Sequence, residues 1–232
     1  MFLHLNLDHV ATLRQLRGED YPSLLEAARL SKQAGVHGIT LHLREDRRHV
    51  QDHDIYTISQ NIQGRFTLEM AADHNILDIA KEVKPSLLTL VPERREELTT
   101  ESGLDLLGQA DRLREFVQEA SVNKLECSLF VDPEEKMIEQ AKSLGASRVE
   151  LHTGAYAKNP SQFEINRLIN AASLADKMDL RVNAGHGLHK DNLGAILQIP
   201  HIEELHIGHA IVCRAVFVGL KDAINEITSQ MK

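Results

Sequence analysis

A glutamate stands inside an apolar run at Phe66-Thr67-Leu68-Glu69-Met70-Ala71, and several other runs carry ionisable or amide residues at every second position. They include Leu3-His4-Leu5-Asn6-Leu7-Asp8-His9, Ile39-Thr40-Leu41-His42-Leu43-Arg44, Val149-Glu150-Leu151-His152 and Leu205-His206-Ile207-Gly208-His209. A carboxylate turned into a protein interior is costly unless it is paired or used in chemistry. Glu69 therefore reads as a general base or as half of an ion pair with an inward Arg or His. His42 shares its face with Thr40 and Arg44 under strict alternation. The imidazole could give and take protons near neutrality, and Arg44 could hold a phosphate or carboxylate. The bland reading of His42 is a satisfied core histidine.

The string Arg44-Glu45-Asp46-Arg47-Arg48-His49 brings four cationic candidates together and suggests an anionic ligand, although a solvated loop would have the same composition. Asn183-Ala184-Gly185-His186-Gly187 and Ile207-Gly208-His209-Ala210 pair glycines with histidines. Glycine lets a phosphate approach backbone N–H groups closely; tight turns are the alternative. Neither stretch is a P-loop or a dinucleotide fingerprint. Glu69, Glu150, His42, His152, His186 and His209 could together hold a metal ion, though no HxxxE or HExxH spacing occurs at these run ends.

Period-2 alternation places His4, Asn6 and Asp8 on one face and Leu3, Leu5 and Leu7 on the other. Eight such β-like segments occur, near residues 2–8, 38–44, 65–71, 86–91, 124–131, 148–153, 180–185 and 204–209. Helical stretches separate them. Helix starts are expected at Asp132-Pro133-Glu134-Glu135 and Asn159-Pro160-Ser161-Gln162, capped by Asp132 and Asn159. Gly35 and Gly145 are expected as left-handed C-caps. A last helix should run from about Ala210, with Ile211, Ala215, Leu220, Ile224 and Ile227 near one face. Residues 34–42 echo 144–152, four units apart, as half-barrel symmetry would produce.

Eight β/α units in 232 residues point to a TIM (β/α)8 barrel with additional short helices, one domain over 1–232. An open doubly wound sheet would need continuously apolar strands. In a barrel the polar faces line the interior, and Asp8, His9, His42, Arg44, Glu69, His152, His186 and His209 fall at or near the C-terminal strand ends where barrel active sites lie. The long polar segment 92–107 reads as a lid or as a solvated excursion. A net charge of −8 argues against nonspecific nucleic-acid or anionic-membrane binding. Cys127 and Cys213 lack CxxC spacing and sit in apolar contexts, which suggests buried free thiols. The N-terminus lacks a signal-peptide pattern and no run reaches transmembrane length, so the cytoplasm is the default location. No Lys stands near a strand end, so a catalytic lysine is not expected.

Taken in order, Asn6-Leu7-Asp8-His9-Val10-Ala11-Thr12-Leu13-Arg14, His42-Leu43-Arg44-Glu45-Asp46-Arg47-Arg48-His49, Leu90-Val91-Pro92-Glu93 with Thr99-Thr100-Glu101, Glu150-Leu151-His152-Thr153-Gly154, Asn183-Ala184-Gly185-His186-Gly187-Leu188 and Ile207-Gly208-His209-Ala210 resemble the pyridoxine 5′-phosphate synthase family. The resemblance runs from residue 2 to about 226. It implies a cytoplasmic homo-octamer of TIM barrels that needs no metal and no organic cofactor. The implied reaction condenses 1-deoxy-D-xylulose 5-phosphate with 3-amino-2-oxopropyl phosphate to give pyridoxine 5′-phosphate, phosphate and water.

The resemblance also implies residue roles. Asn6 contacts the amino-ketone phosphate, and Asp8 and His9 contact the deoxyxylulose phosphate. Arg17, Arg44, His49 and Thr99 bind polar and phosphate groups. His42 and Glu69 accept protons, His186 donates one, and Glu150 stabilises a cationic transition state. Gly187, Gly208 and His209 hold the phosphate of the amino ketone. The chain departs from the family's pattern in a shorter stretch at 154–165 and in His206, which stands where the pattern has Asn. On the residues alone, a metal-dependent barrel hydrolase or isomerase and a non-catalytic phosphate-binding protein are the rival readings.

Overall fold

The computed structural model describes residues 1–93 and 102–231. Eight parallel strands close into a barrel in chain order: β1 (Phe2–Asn6), β2 (Gly38–His42), β3 (Arg65–Met70), β4 (Leu87–Leu90), β5 (Cys127–Val131), β6 (Arg148–His152), β7 (Arg181–Gly185) and β8 (Ile202–Ile207), with β8 returning to β1. All eight expected segments are strands. Several end earlier than the apolar pattern suggested. β1 stops at Asn6 because Asp8 already opens helix α1 (Asp8–Gln15), and β2 stops at His42, two residues before Arg44.

Ten further helices follow among the described residues: α2 (Leu24–Gln33), α3 (Asp52–Asn61), α4 (His74–Val83), α5 (Ala110–Val122), α6 (Glu135–Ser143), α7 (Gly154–Lys158), α8 (Gln162–Lys177), α9 (Leu193–Ile196), α10 (His209–Val218) and α11 (Leu220–Thr228). None is long and apolar enough to cross a membrane. Two expected caps are displaced. Ser161, not Asn159, caps α8 by accepting from the Glu164 N–H. α6 begins after Glu134, because the Asp132 carboxylate is occupied by the His152 ring and the Gly103 N–H. The expected last helix is two helices, broken at Gly219, whose φ of 81° lies in the left-handed region. Gly35 and Gly145 do take positive φ after α2 and α6.

The alternation resolves into two faces. Leu3, Leu5, Ile39, Leu41, Leu68, Met70, Val149, Leu151 and Leu205 point outward and are buried in the apolar layer beneath the helices. Their neighbours point inward, and the barrel is filled by His4, Thr40, Thr67, Thr89, Ser128, Arg148, Glu150, Asn183, Glu204 and His206, all buried. A TIM barrel usually fills this space with branched apolar side chains. The polar filling survives here because much of it bonds internally, although the Thr89 and Ser128 hydroxyls have no partner among the described residues. Arg148, wholly buried, donates to Asn183 Oδ1 at 2.7 Å and to Glu203 Oε2 at 3.1 Å, and Arg65 meets Glu204 at 3.0 Å. The repeated segments 34–42 and 144–152 lead into β2 and β6, on opposite sides of the barrel.

Candidate active site

A cavity of about 620 Å³ opens at the C-terminal ends of the strands. Strand register explains why distant residues meet there. His42 lies beside Glu69, Glu150 beside Asn183, and Gly185 beside His206. Of the residues singled out in the sequence, Asn6, Asp8, His9, His42, Arg44, His49, Glu69, Glu150, His186, Gly187, Gly208 and His209 all line the cavity. Arg17 does not. α1 has ended by Leu16, and the Arg17 guanidinium is 80% exposed and paired with Glu19 at 3.0 Å. Thr99 and residues 94–101 of the expected lid lie outside the described residues.

The two inward glutamates near the mouth differ from the one deeper in the barrel. Glu69 has its nearest basic neighbour, His206 Nδ1, only at 4.0 Å. Burial, then the charges of Glu150 and Asp8, push its carboxyl well above the ordinary range. Glu150 is raised too, chiefly by burial, and its Oε2 has no hydrogen-bond partner among the described residues. Glu204 is wholly buried yet lies between Arg65 and Arg148 and near two imidazoles. Burial opposes its ionisation, but the His206 hydrogen bond and the nearby positive charge pull it down to about 2. Glu204 thus has the structural ion-pair role that was the rival reading for Glu69.

His42 is held from two sides. Its backbone N–H donates to Asp8 Oδ1 at 2.8 Å, and its Nε2 lies 2.8 Å from Glu93 Oε1. Glu93 is fastened in turn by the N–H groups of Glu45 and Ala71. The hydrogen bond and charge of His42 overcome the burial penalty and lower the Glu93 carboxyl. Sequence reasoning counted Glu93 within a charged loop and missed it; the usable signal was a carboxylate three residues beyond the end of an apolar strand. Across the mouth, His152 Nδ1 meets Asp132 Oδ1 at 2.9 Å, and the His152 ring lies 5.0 Å from that of His186.

Anion-binding features cluster on one side. The N-termini of α1 and α10 both reach the cavity through Asp8 and His9 and through Gly208, His209 and Ala210. The first N–H groups of a helix lack intrahelical partners and attract negative charge. A Cβ on Gly208 would come within 2.9 Å of the Asn6 carbonyl oxygen, so only glycine lets β8 and β1 approach this closely. Gly187 has φ of 74° and faces Ala157. The His9 and His209 rings meet edge to face at 4.9 Å. Burial lowers His9 and His49, keeping both neutral at pH 7 and able to donate hydrogen bonds. In the charged string, Arg44 and Arg48 line the cavity and share Asp46, while Arg47 turns to Asp52.

The broad metal set does not converge. Among the described residues, the groups with donor atoms close enough for one ion are Asp8–His42–Glu69, Glu69–Glu150–His206 and His4–Glu204–His206; His152, His186 and His209 belong to none. Cys127 is buried, with its thiol pushed up to about 12 by burial. Cys213, expected to be buried, is exposed on α10, where its sulfur lies 3.3 Å from His209 Nε2. Its apolar neighbours Val216 and Phe217 lie on the same uncovered face.

Comparison with known proteins places this geometry. Residues 3–232 match the family model for the pyridoxal phosphate biosynthesis protein PdxJ. A pyridoxine 5′-phosphate synthase from Coxiella burnetii is 49% identical over 229 residues, covering 97% of this chain and 95% of that protein. One from a Synechococcus strain is 49% identical over 233 residues, covering 99% and 98%. Among solved structures, a mutant tryptophan synthase α-subunit from Pyrococcus furiosus superposes with a TM-score of 0.70 at 11% identity, covering 98% and 97%, a likeness of fold alone.

Proposed function

The chain belongs to the PdxJ family of pyridoxal phosphate biosynthesis proteins, and from that premise we propose that it is a pyridoxine 5′-phosphate synthase working by acid–base catalysis. It would join 1-deoxy-D-xylulose 5-phosphate to 3-amino-2-oxopropyl phosphate, releasing phosphate and water. The observation that carries the mechanism is the pair of raised carboxyls, the half-buried Glu69 and the buried Glu150, facing a polar cavity bordered by two helix N-termini.

The steps follow from the substrates' chemistry. The amine attacks the ketone, and loss of water leaves an imine. Phosphate then leaves, and ring closure removes further water. Each stage moves protons at carbon and oxygen, which suits several acid–base groups on different strands. Glu69 accepts a proton from the condensing carbon skeleton, with His42, oriented by Glu93, as the second acceptor. His186 donates to the departing oxygen. Glu150 balances the cationic iminium.

The N-terminus of α10 with Gly208, His209 and Gly187 receives the phosphate of the amino ketone, whose amino end reaches Asn6. Asp8, His9, Arg44 and His49 receive the deoxyxylulose phosphate. Thr99 closes that set. Arg17 joins it only if its pairing with Glu19 gives way. The proposal extends to a cytoplasmic homo-octamer that works without metal or organic cofactor.

Metal-dependent chemistry has in its favour the proximity of donor atoms in two groups at the cavity, Asp8–His42–Glu69 and Glu69–Glu150–His206. It is weakened because Asp8 Oδ1 is already taken by the His42 N–H and a raised Glu69 carboxyl is a poor ligand. Incubating the protein with both substrates in chelator-treated buffer decides between the readings. The proposal requires pyridoxine 5′-phosphate to form, and chelator-sensitive turnover would favour the metal reading.

A further inference from the structure

His206 is the one imidazole among the described residues set between the mouth glutamates and the ion network beneath them. Its Nδ1 lies 3.4 Å from Glu150 Oε2, 4.0 Å from Glu69 Oε1 and 3.4 Å from the Thr40 hydroxyl. Its Nε2 lies 3.6 Å from Glu204 Oε2 and 3.4 Å from Asn183 Nδ2. The ring stacks on His4, with centroids 4.8 Å apart and planes tilted by 10°. Gly38 makes room for His4, since a Cβ there would fall 2.3 Å from its ring.

Among the described residues, the charged or titratable groups facing His206 come from four strands. Glu69 comes from β3, Glu150 and Arg148 from β6, Glu204 from β8, and His4 from β1; Thr40 and Asn183 are neutral. Burial drives His4 down to about 3, so it stacks as a neutral ring and adds no positive charge beside His206. Arg65 and Arg148 hold Glu204 as an anion. The Glu204 anion faces Nε2, and Nδ1 is the nitrogen aimed at Glu150 and Glu69.

We propose that His206 is a positioning residue that makes Glu69, Glu150 and itself one three-site proton store, anchored from below by Glu204. When the 3.4 Å gap to Glu150 tightens to hydrogen-bond distance in the substrate complex, a carboxyl O–H of Glu150 breaks as a Nδ1–H forms on His206, and Glu69, 4.0 Å away, must close further to exchange its proton in the same way. The O–H electron pair stays on the carboxylate, the imidazole becomes imidazolium, and the total charge of the three groups is unchanged. The store gives Glu69 a route to pass on the proton it has accepted without opening the cavity to water. The imidazolium also favours the ionised form of the glutamate that must act as base. This rests on the acid–base role proposed for Glu69.

The test is the pH profile of kcat and kcat/KM for wild type, His206→Gln and His206→Asn, with folding checked by circular dichroism and melting. Both replacements keep a hydrogen-bonding side chain and remove the titrating one. Loss of a positive charge about 4 Å from the glutamates should move the acid limb upward by on the order of one pH unit. The KM of each substrate should change little, and turnover should recover toward wild type at alkaline pH. Profiles that superpose on wild type would overturn the proposal. So would an equal loss at every pH, which a merely structural role would give. Glu69→Gln is assayed alongside: full turnover there removes the base assignment itself. An inactive Glu69→Gln with unshifted His206 variants removes only this inference.

Discussion

Glu69→Gln and Glu204→Gln make the same chemical change on two inward glutamates of one barrel, and they should have opposite consequences. Among the described residues Glu69 has no ion pair closer than 4.0 Å, and its carboxyl is raised by burial and by neighbouring acids. Neutralising it removes repulsion and breaks no hydrogen bond of the fold, so the melting temperature should hold or rise. Turnover should fall by roughly 10²–10⁴-fold, the usual contribution of a general base, equivalent to about 3–5 kcal/mol in the barrier. Glu204 lies between Arg65 and Arg148, and neutralising it leaves the wholly buried Arg148 and the half-buried Arg65 short of a counter-charge. Breaking a buried pair in this way costs about 3–5 kcal/mol of stability, so Glu204→Gln should melt much lower or fail to fold. The assay follows phosphate release and product with both substrates saturating, and scanning calorimetry reports the fold. A folded Glu69→Gln variant that turns over like wild type would refute the reasoning.

Other outcomes follow from the same geometry. Glu93→Gln should lower kcat by about 10-fold or more through loss of the charged partner that orients His42; an unchanged kcat would mean that His42 needs no orienting. Gly208→Ala should weaken the amino-ketone phosphate more than the deoxyxylulose phosphate, because its Cβ meets Asn6 at 2.9 Å beside the start of α10. Calorimetry that finds both affinities intact would place that phosphate elsewhere. Wild-type kcat/KM should rise with pH through a limb above the ordinary carboxylate range, since Glu69 must lose its proton to act as base and its affinity for that proton is raised; a limb at or below the ordinary glutamate value counts against the assignment.

His4 sets a stability trend of its own. Its folded pKa of about 3 lies below the unfolded 6.5, so the unfolded chain binds more protons between these values and stability falls as pH drops through that window. At pH 5 its share is about 2 kcal/mol. His4→Gln should flatten the melting-temperature profile between pH 7 and 5, and parallel profiles would show that His4 does not charge on unfolding.

The barrel was legible because its strands alternate. Leu3, Leu5 and Leu7 against His4, Asn6 and Asp8 gave both the period and the sides, and eight repeats of that pattern left few architectures. What alternation cannot show is which inward residues meet across the barrel, since that depends on closure of β8 on β1. The His4–His206 stack and the Arg148–Glu204 contact join residues about 200 and 56 positions apart, and no local pattern announces them. Helix starts were misjudged by two residues where a capping side chain had a stronger use elsewhere. Asp132 serves His152, and Ser161 takes the cap that Asn159 offered. Cys213 was misplaced because α10 turns part of an apolar face outward. The residues that line the cavity were legible through their position at strand ends, whereas Arg17 lies outside it and Glu93 was hidden in a run of charge.

In the proposed reaction, carboxyls and imidazoles in one polar barrel mouth close the pyridine ring without a metal. The most direct measurement mixes the purified protein, in chelator-treated buffer, with 1-deoxy-D-xylulose 5-phosphate and 3-amino-2-oxopropyl phosphate, and follows both products by mass spectrometry and phosphate assay. The account predicts pyridoxine 5′-phosphate and inorganic phosphate in equal amounts, at a rate that added divalent ions do not raise. No product from the folded protein, or product only after a metal is restored, would contradict it.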